Sequence, residues 1–206
     1  SNVAIGYRSM FFSVASYQNV AIGRGALYSN TVGGNNTAVG YSSLFSNTTG
    51  VNNVGVGTEA LYSSTITQYN VAIGLQAMRQ TTTGDYNTAV GYQSLYSNTT
   101  GSYNSAFGHQ ALYSNTTGVN NVAIGPGSLA GNTIGSYNTA MGVNALNANK
   151  TGNYNVAIGQ AALLSSDGTN TNTAIGIQAM RQTTTGDYNT AVSYQALYNN
   201  TTGTYN

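Results

Sequence analysis

Apolar and polar positions recur along this chain in a cycle of 17 residues. Asparagine opens every cycle, from Asn2 to Asn206, with no insertion or deletion. Numbered from that asparagine, positions 2 to 5 read Val or Thr, Ala, Val or Ile, and Gly in most units. This alternation predicts a short β-strand. A strict short period predicts a solenoid, in which each unit is one coil stacked on the previous coil.

The two sides of this strand have different predicted roles. Position 4 always holds a bulky apolar residue, such as Ile22, Val39 or Phe107, and we expect this column to lie inside the coil. Positions 3 and 5 are almost always Ala and Gly, and we expect another backbone to approach this face closely. A narrow coil has a small core, which favours oligomerisation. Three rolls around a threefold axis would bury the Ala and Gly face along the whole rod.

The rest of the unit is predicted to form a corner, a second strand and a loop. Gly125 and Pro126 indicate a turn at positions 5 to 7. Positions 8 and 9 read Ala or Ser and then Leu or Met, which we interpret as a second short strand with its large residue inward. Positions 11 to 16 carry turn residues, as in residues 97–102. A helical repeat is not favoured, because the unit is too short for two helices and Asn, Thr, Gly and Tyr are poor helix formers.

The pattern therefore predicts an all-β chain, a parallel β-solenoid of twelve 17-residue coils that forms one array over residues 1–206. Stacked coils place identical side chains above one another, so we expect the asparagines of position 1 to form a ladder of side-chain amides. The predicted ladder consists of Asn19, Asn36, Asn53, Asn70, Asn87, Asn104, Asn121, Asn138, Asn155, Asn172 and Asn189. Tyrosines at position 17, such as Tyr69, Tyr86 and Tyr103, are expected to stack in the same way.

Composition argues against several classes of function. Only 4% of residues are charged and the net charge is +1, so the chain has no electrostatic footprint for nucleic acid or an anionic membrane. The chain has no cysteine, one histidine (His109) and four acidic residues, with no paired-carboxylate or metal-ligand spacing. We therefore expect no catalytic site, no metal and no cofactor. Arg79 with Asp85, and Arg181 with Asp187, are expected to pair across the outer loop.

Position 10 is the main candidate for an outward binding surface. It is aromatic at Phe11, Tyr28, Phe45, Tyr62, Tyr96 and Tyr113. Exposed aromatic columns dock glycans or proteins, because a flat ring gives contact area at small entropic cost. The favoured alternative is that these rings cover the edge of the roll or the seam of a trimer.

Asn-Thr-Thr also occurs within the outer loop, at Asn47, Asn98, Asn115 and Asn200. This sequence matches the acceptor for N-glycosylation. Such matches arise readily in a repeat rich in Asn and Thr, so we do not expect modification.

The motif Asn-Val-Ala-Ile-Gly resembles the head repeats of trimeric autotransporter adhesins of the YadA-like type. It begins at Asn2, Asn19, Asn70, Asn121 and Asn155, and close variants fill most other units. The chain is also similar to the Asn/Thr/Gly-rich repeat shafts of some phage tail fibres. The adhesin resemblance implies a left-handed parallel β-roll, three chains in the head, and binding to host or matrix surfaces. No neck motif, heptad stalk or membrane-anchor strand is visible.

Together these observations predict a non-enzymatic structural or adhesive region of an extracellular fibre, on a cell surface or a virion. We expect an excerpt of a longer fibre protein, because neither end resembles a polar cap. The expected partners are further copies of the chain, as a homotrimer, and a host or matrix protein or glycan; nucleic-acid and membrane contacts are not expected. The alternatives are a monomeric solenoid that assembles end to end into a filament and a phage tail-fibre shaft.

Overall fold

A computed structural model describes residues 1–206 and confirms the all-β parallel solenoid. One three-residue strand lies at positions 2 to 4 of every unit, and the chain contains no helix. The strands are β1 (Val3–Ile5), β2 (Val20–Ile22), β3 (Thr37–Val39), β4 (Val54–Val56), β5 (Val71–Ile73), β6 (Thr88–Val90), β7 (Ser105–Phe107), β8 (Val122–Ile124), β9 (Thr139–Met141), β10 (Val156–Ile158), β11 (Thr173–Ile175) and β12 (Thr190–Val192). They form one twelve-stranded parallel sheet in chain order. Each residue pairs with its equivalent in the next unit, as Ala72 does with Ala89.

The side of the strand that faces the core is the reverse of the one we expected. Position 3 is fully buried from Ala21 to Ala174, whereas position 4 is half-buried or exposed, as at Ile73 with 40% of its surface accessible. The reason is the narrowness of the coil, since positions 8 and 9 already fill the space opposite the strand. A Cβ atom at Gly55 would lie 2.6 Å from the Ser43 hydroxyl and 3.4 Å from Leu44. Only Ala or Gly fits inside, so the bulky apolar side chain must point outward, and the Ala face is not free to bind another chain.

The predicted second strand is also wrong, although its large residue does point inward. Positions 8 and 9 lie in a turn rather than a strand. Positions 7 and 9 have left-handed backbone, with φ of 51° at both Gln93 and Leu95, so the chain coils there instead of extending. The side chains of position 9 are nevertheless fully buried from Leu27 to Met180.

Hydrogen bonds between coils extend around the whole cross-section. Of 136 backbone–backbone hydrogen bonds, 22 belong to the strands, and most of the others join neighbouring coils. The Leu95 amide donates to the Ala111 carbonyl at 2.9 Å, and the Thr99 amide donates to the Thr116 carbonyl at 2.9 Å. Hydrogen bonds between coils therefore hold the turn and loop positions in register, in addition to the sheet.

Candidate functional surfaces

The asparagines of position 1 are buried and linked from coil to coil. The Asn121 backbone amide and side-chain amide donate to the Asn104 Oδ1 at 3.0 and 3.1 Å. The Asn121 side chain also donates to the carbonyl of Gly135 at 2.8 Å, in its own coil. Each amide thus joins two coils and ties the start of its own coil to the end of the loop. The same column runs from Asn19 to Asn189, which makes it the structural spine of the rod.

A second amide ladder lies at position 12, where the sequence predicted only turn chemistry. The Asn115 side chain donates to the Asn98 Oδ1 at 3.0 Å and to the Gly118 carbonyl at 3.0 Å. Asn132 and Asn149 continue the ladder. Asn47, Asn98 and Asn115 have no accessible surface, so the folded coil hides these three potential glycosylation acceptors.

Positions 12 and 15 vary together within the chain, because their side chains share one interior space. Where position 12 is Asn, position 15 is Gly, and a Cβ atom at Gly101 would collide with the side chain of Asn98. Where position 12 is Ser64 or Ser166, position 15 is Thr67 or Thr169, and the two hydroxyls hydrogen bond to each other. This exchange was visible in the sequence and could have identified the second ladder.

The ladder at position 12 is interrupted, and the interruptions leave polar atoms without partners. Thr81 and Thr183 occupy position 12, and their buried hydroxyls have no hydrogen-bond partner. The Oδ1 of Asn47 is also unpaired, because the next coil has Ser64 in place of a donating amide. These are local weak points in the stack.

The outward side of the sheet has an uninterrupted column of apolar side chains at position 4, and we call this side the strand face. It consists of positions 2 and 4 of every unit, where position 2 is Val, Thr or Ser, and it is bordered by positions 17 and 6. Exposed members include Ile73, Phe107 and Ile124 at position 4 and Leu75 at position 6, each with about 40% of its surface accessible. Soluble monomers rarely expose a large contiguous apolar patch without a function for it.

Aromatic side chains stack along the rod in two columns. At position 17, the rings of Tyr69, Tyr86 and Tyr103 are parallel, with centroids 4.9 and 5.0 Å apart. At position 10, the rings of Phe11, Tyr28, Phe45 and Tyr62 stack with centroids 4.7 to 5.5 Å apart, and Tyr96 stacks on Tyr113 at 5.2 Å. Phe11 is 54% exposed, and the other five rings of position 10 are half-buried. They stack on each other more than they project.

The predicted pairing of Arg79 with Asp85 is wrong. The Arg79 Nε donates to the Glu59 carboxylate at 2.7 Å, and Gln76 donates to the same oxygen at 2.9 Å. Both hydrogen bonds lower the pKa of Glu59 below its usual value. Asp85 instead accepts a hydrogen bond from the Gln68 backbone amide of the preceding coil at 2.7 Å. Arg79 therefore pairs with position 7 of the previous coil and not with position 16 of its own coil.

The contacts of Arg181 show that an arginine at position 10 takes its partner from whichever residue the neighbouring coils provide. Residues 177–192 nearly repeat residues 75–90. Position 7 of the preceding coil, however, is Ala161 for Arg181 and Glu59 for Arg79. Arg181 donates to the Tyr198 hydroxyl at 3.0 Å, and its buried Nε has no partner. Asp187 binds the backbone amide of Asn170, so the predicted Arg181–Asp187 pair does not form.

Other candidate chemistry is sparse. His109 is exposed at position 6 and stacks on Tyr92 with ring centroids 5.2 Å apart. No group of three His, Cys, Asp or Glu side chains is placed to hold a metal ion. The fold has no helix with the length and apolarity needed to cross a bilayer.

The architecture is therefore defined by two amide ladders, a column of buried Leu and Met, and an apolar strand face. Comparison with protein-family models, with curated proteins and with solved structures finds no match to this chain.

Proposed function

We propose that this chain is a non-catalytic structural and adhesive region of an extracellular fibre. Its stacked coils form a stiff rod that projects a binding surface away from a cell or virion. The proposal is supported by the strict repeat, by the ladders that hold the coils in register, and by the resemblance to adhesin head repeats.

The strand face is the main observation behind this proposal, because association of several rods would bury its exposed apolar side chains. It runs along all twelve strands and presents an apolar side chain at position 4 in every coil. No charged residue occupies position 2 or position 4 in any coil. We propose that three copies pack their strand faces around a common axis. This moves the expected trimer contact from the buried Ala column to the exposed Ile and Val column.

Light scattering of the purified chain tests the assembly. A trimer has a mass of about 64 kDa, three times the 21.3 kDa of one chain. Replacement of Ile73, Ile124 and Ile175 by Glu puts three charges on the strand face, in coils far enough apart not to repel one another. We expect this variant to be a folded monomer, because burying an unpaired carboxylate opposes association.

A matched control places apolar-to-Glu changes elsewhere on the surface. Val32, Ile66 and Ile134 lie at position 14, in the outer loop, and are 45 to 53% exposed. Their replacement by Glu should leave the trimer intact. A wild-type chain that is monomeric at all concentrations, or a loop variant that dissociates as readily as the face variant, would refute the proposed interface. Rolls joined end to end would support the filament alternative.

A further inference from the structure

We propose that a cleft across the first three coils binds the carboxylate and ring of an acidic sugar. The cleft has a volume of about 160 Å³ and is lined by two arginines, four aromatic rings and a short polar floor. This inference rests on the proposed adhesive role, and it names the ligand class for that role.

The two arginines of this cleft have no acidic partner. The ion pairs of the chain join Arg79 to Glu59 and Lys150 to Asp167, so Arg8 and Arg24 are left uncompensated at the same cleft. Each guanidinium group carries five donors, and neither side chain donates a hydrogen bond within the protein. Two adjacent unpaired guanidinium groups favour an anion, above all a planar carboxylate.

Aromatic rings hold both arginines in place. The Arg24 guanidinium carbon lies 5.7 Å from the ring centroid of Tyr7 and 5.8 Å from that of Tyr41. The Arg8 guanidinium carbon lies 5.2 Å from the centroid of Tyr7 and 5.5 Å from that of Phe11. These distances fall within the range of cation–π attraction. Both cations are thereby positioned before any ligand arrives.

The cleft exists because position 7 is small in two consecutive coils. Gly25 and Ser42 occupy that position, whereas Gln76, Gln93 and Gln110 fill it further along the rod. A Cβ atom at Gly25 would already touch the Phe45 ring and the Ser42 hydroxyl, each at 3.4 Å. Ser42 lines the cleft, so its hydroxyl is placed to bind a sugar hydroxyl at the floor.

The remaining walls fit a sugar ring better than a larger ligand. Tyr28 and Phe45 stack with centroids 4.7 Å apart and interplanar angle 2°, which gives the cleft an apolar side formed by aromatic rings. The volume of about 160 Å³ is below the roughly 300–1,000 Å³ of sites for drug-sized molecules. A carboxylate for the arginines, hydroxyls for Ser42 and an apolar ring for the aromatic side chains occur together in a hexuronic acid.

Titration of the full chain with glucuronic acid, followed by NMR of the arginine Nε–H groups, tests the inference. We expect saturable shifts of the Arg8 and Arg24 signals, with Arg79 and Arg181 as unaffected internal references. Neutral glucose should bind at least about tenfold more weakly, a loss of about 1.4 kcal/mol. Sulfate should also bind more weakly, because it lacks the ring and the hydroxyls.

Two variants localise the site. Arg24→Gln removes one guanidinium, and Ser42→Gln fills the floor with the residue that the fold accepts at Gln76 and Gln93. Each should weaken glucuronate binding by about tenfold or more, while Arg181→Gln should leave it unchanged. Binding of sulfate as tight as that of glucuronate, tighter binding of an acidic peptide, or no effect of Ser42→Gln would overturn the inference. The assembly measured by light scattering is independent of this result, so either idea can fail alone.

Discussion

At the scale of single residues, asparagine stabilises the fold at two different positions of the repeat. In position 1 it joins consecutive coils and closes its own loop, as Asn104 does with Asn87 and Gly118. In position 12 it bridges coils at the opposite end of the loop, as Asn115 does with Asn98. Buried amides with all their partners stabilise a unique register, whereas unpaired ones are costly. The weak points of the rod should therefore lie where a column lacks its amide.

Thr81→Asn should stabilise the chain. The introduced amide can donate to the Gly84 carbonyl and accept from Asn98, as Asn115 does with Gly118 and Asn132, and it removes a hydroxyl that has no partner. We expect the free energy of unfolding to rise by about 1–2 kcal/mol, measured by urea denaturation. Thr83→Asn, at an exposed site in the same loop, is the control and should have little effect. An unchanged or lower stability for Thr81→Asn would show that the interruption costs nothing.

The ion pair of Glu59 with Arg79 should make stability depend on pH in acid. Because the pKa of Glu59 is lowered in the folded chain from 4.5, its contribution is present above that value and is lost as pH falls through the folded pKa. Both side chains are partly exposed, so we expect no more than about 1 kcal/mol. The Glu59→Gln variant should be less stable than wild type at neutral pH and equal to it in acid. A stability difference that stays constant across this range would contradict the assignment.

At the scale of one coil, the interior is a fixed volume shared by positions 3, 8, 9, 12 and 15. Ala at position 3 faces Ser43 and Leu44 or their equivalents, so the strand has no room for a larger inward residue. Positions 12 and 15 show the same constraint, since Asn pairs with Gly, whereas Ser64 and Ser166 pair with Thr. A close-packed interior responds to single changes in volume, and matched changes should cancel.

The pair of Ser64 and Thr67 offers a direct measure of this coupling. Ser64→Asn alone should destabilise the chain, because the Thr67 side chain occupies the space that the amide needs. Thr67→Gly alone should also destabilise it, because the Ser64 hydroxyl loses its partner. Together they recreate the Asn and Gly pair and supply a donor to the unpaired Asn47 Oδ1. We expect a favourable coupling energy of about 1–3 kcal/mol in a double-mutant cycle, and additive effects would exclude a shared space.

At the scale of the whole molecule, each coil contacts only its neighbours, so length should be adjustable in whole units. Deletion of residues 87–103 removes one complete coil and leaves every column in register. We expect circular dichroism to be preserved and small-angle X-ray scattering to give a rod shorter by about 4.8 Å. Deletion of residues 87–94 alone breaks the register and should abolish cooperative folding. Equal tolerance of both deletions would contradict the stacked architecture.

The sequence predicts the period, the strand at positions 2 to 4 and the all-β solenoid, because a strict repeat can be recognised without knowledge of tertiary contacts. It does not predict which side of the strand is inside. Bulky apolar residues such as Ile73 normally lie in a core. Here the side chains of Leu61, Leu95 and their equivalents already fill the interior, so the position 4 side chains point outward. The ion pairs were misassigned for a related reason, since Arg79 contacts Glu59 of the preceding coil, which lies 20 residues earlier in the sequence.

The central claim is that the strand face is buried between copies of the rod, and a cross-section of the purified assembly by cryo-electron microscopy tests it most directly. The account predicts three rolls around one axis, with the position 4 residues at the centre and the Ala column enclosed within each roll. One roll per cross-section, with the strand face open to solvent, would contradict it.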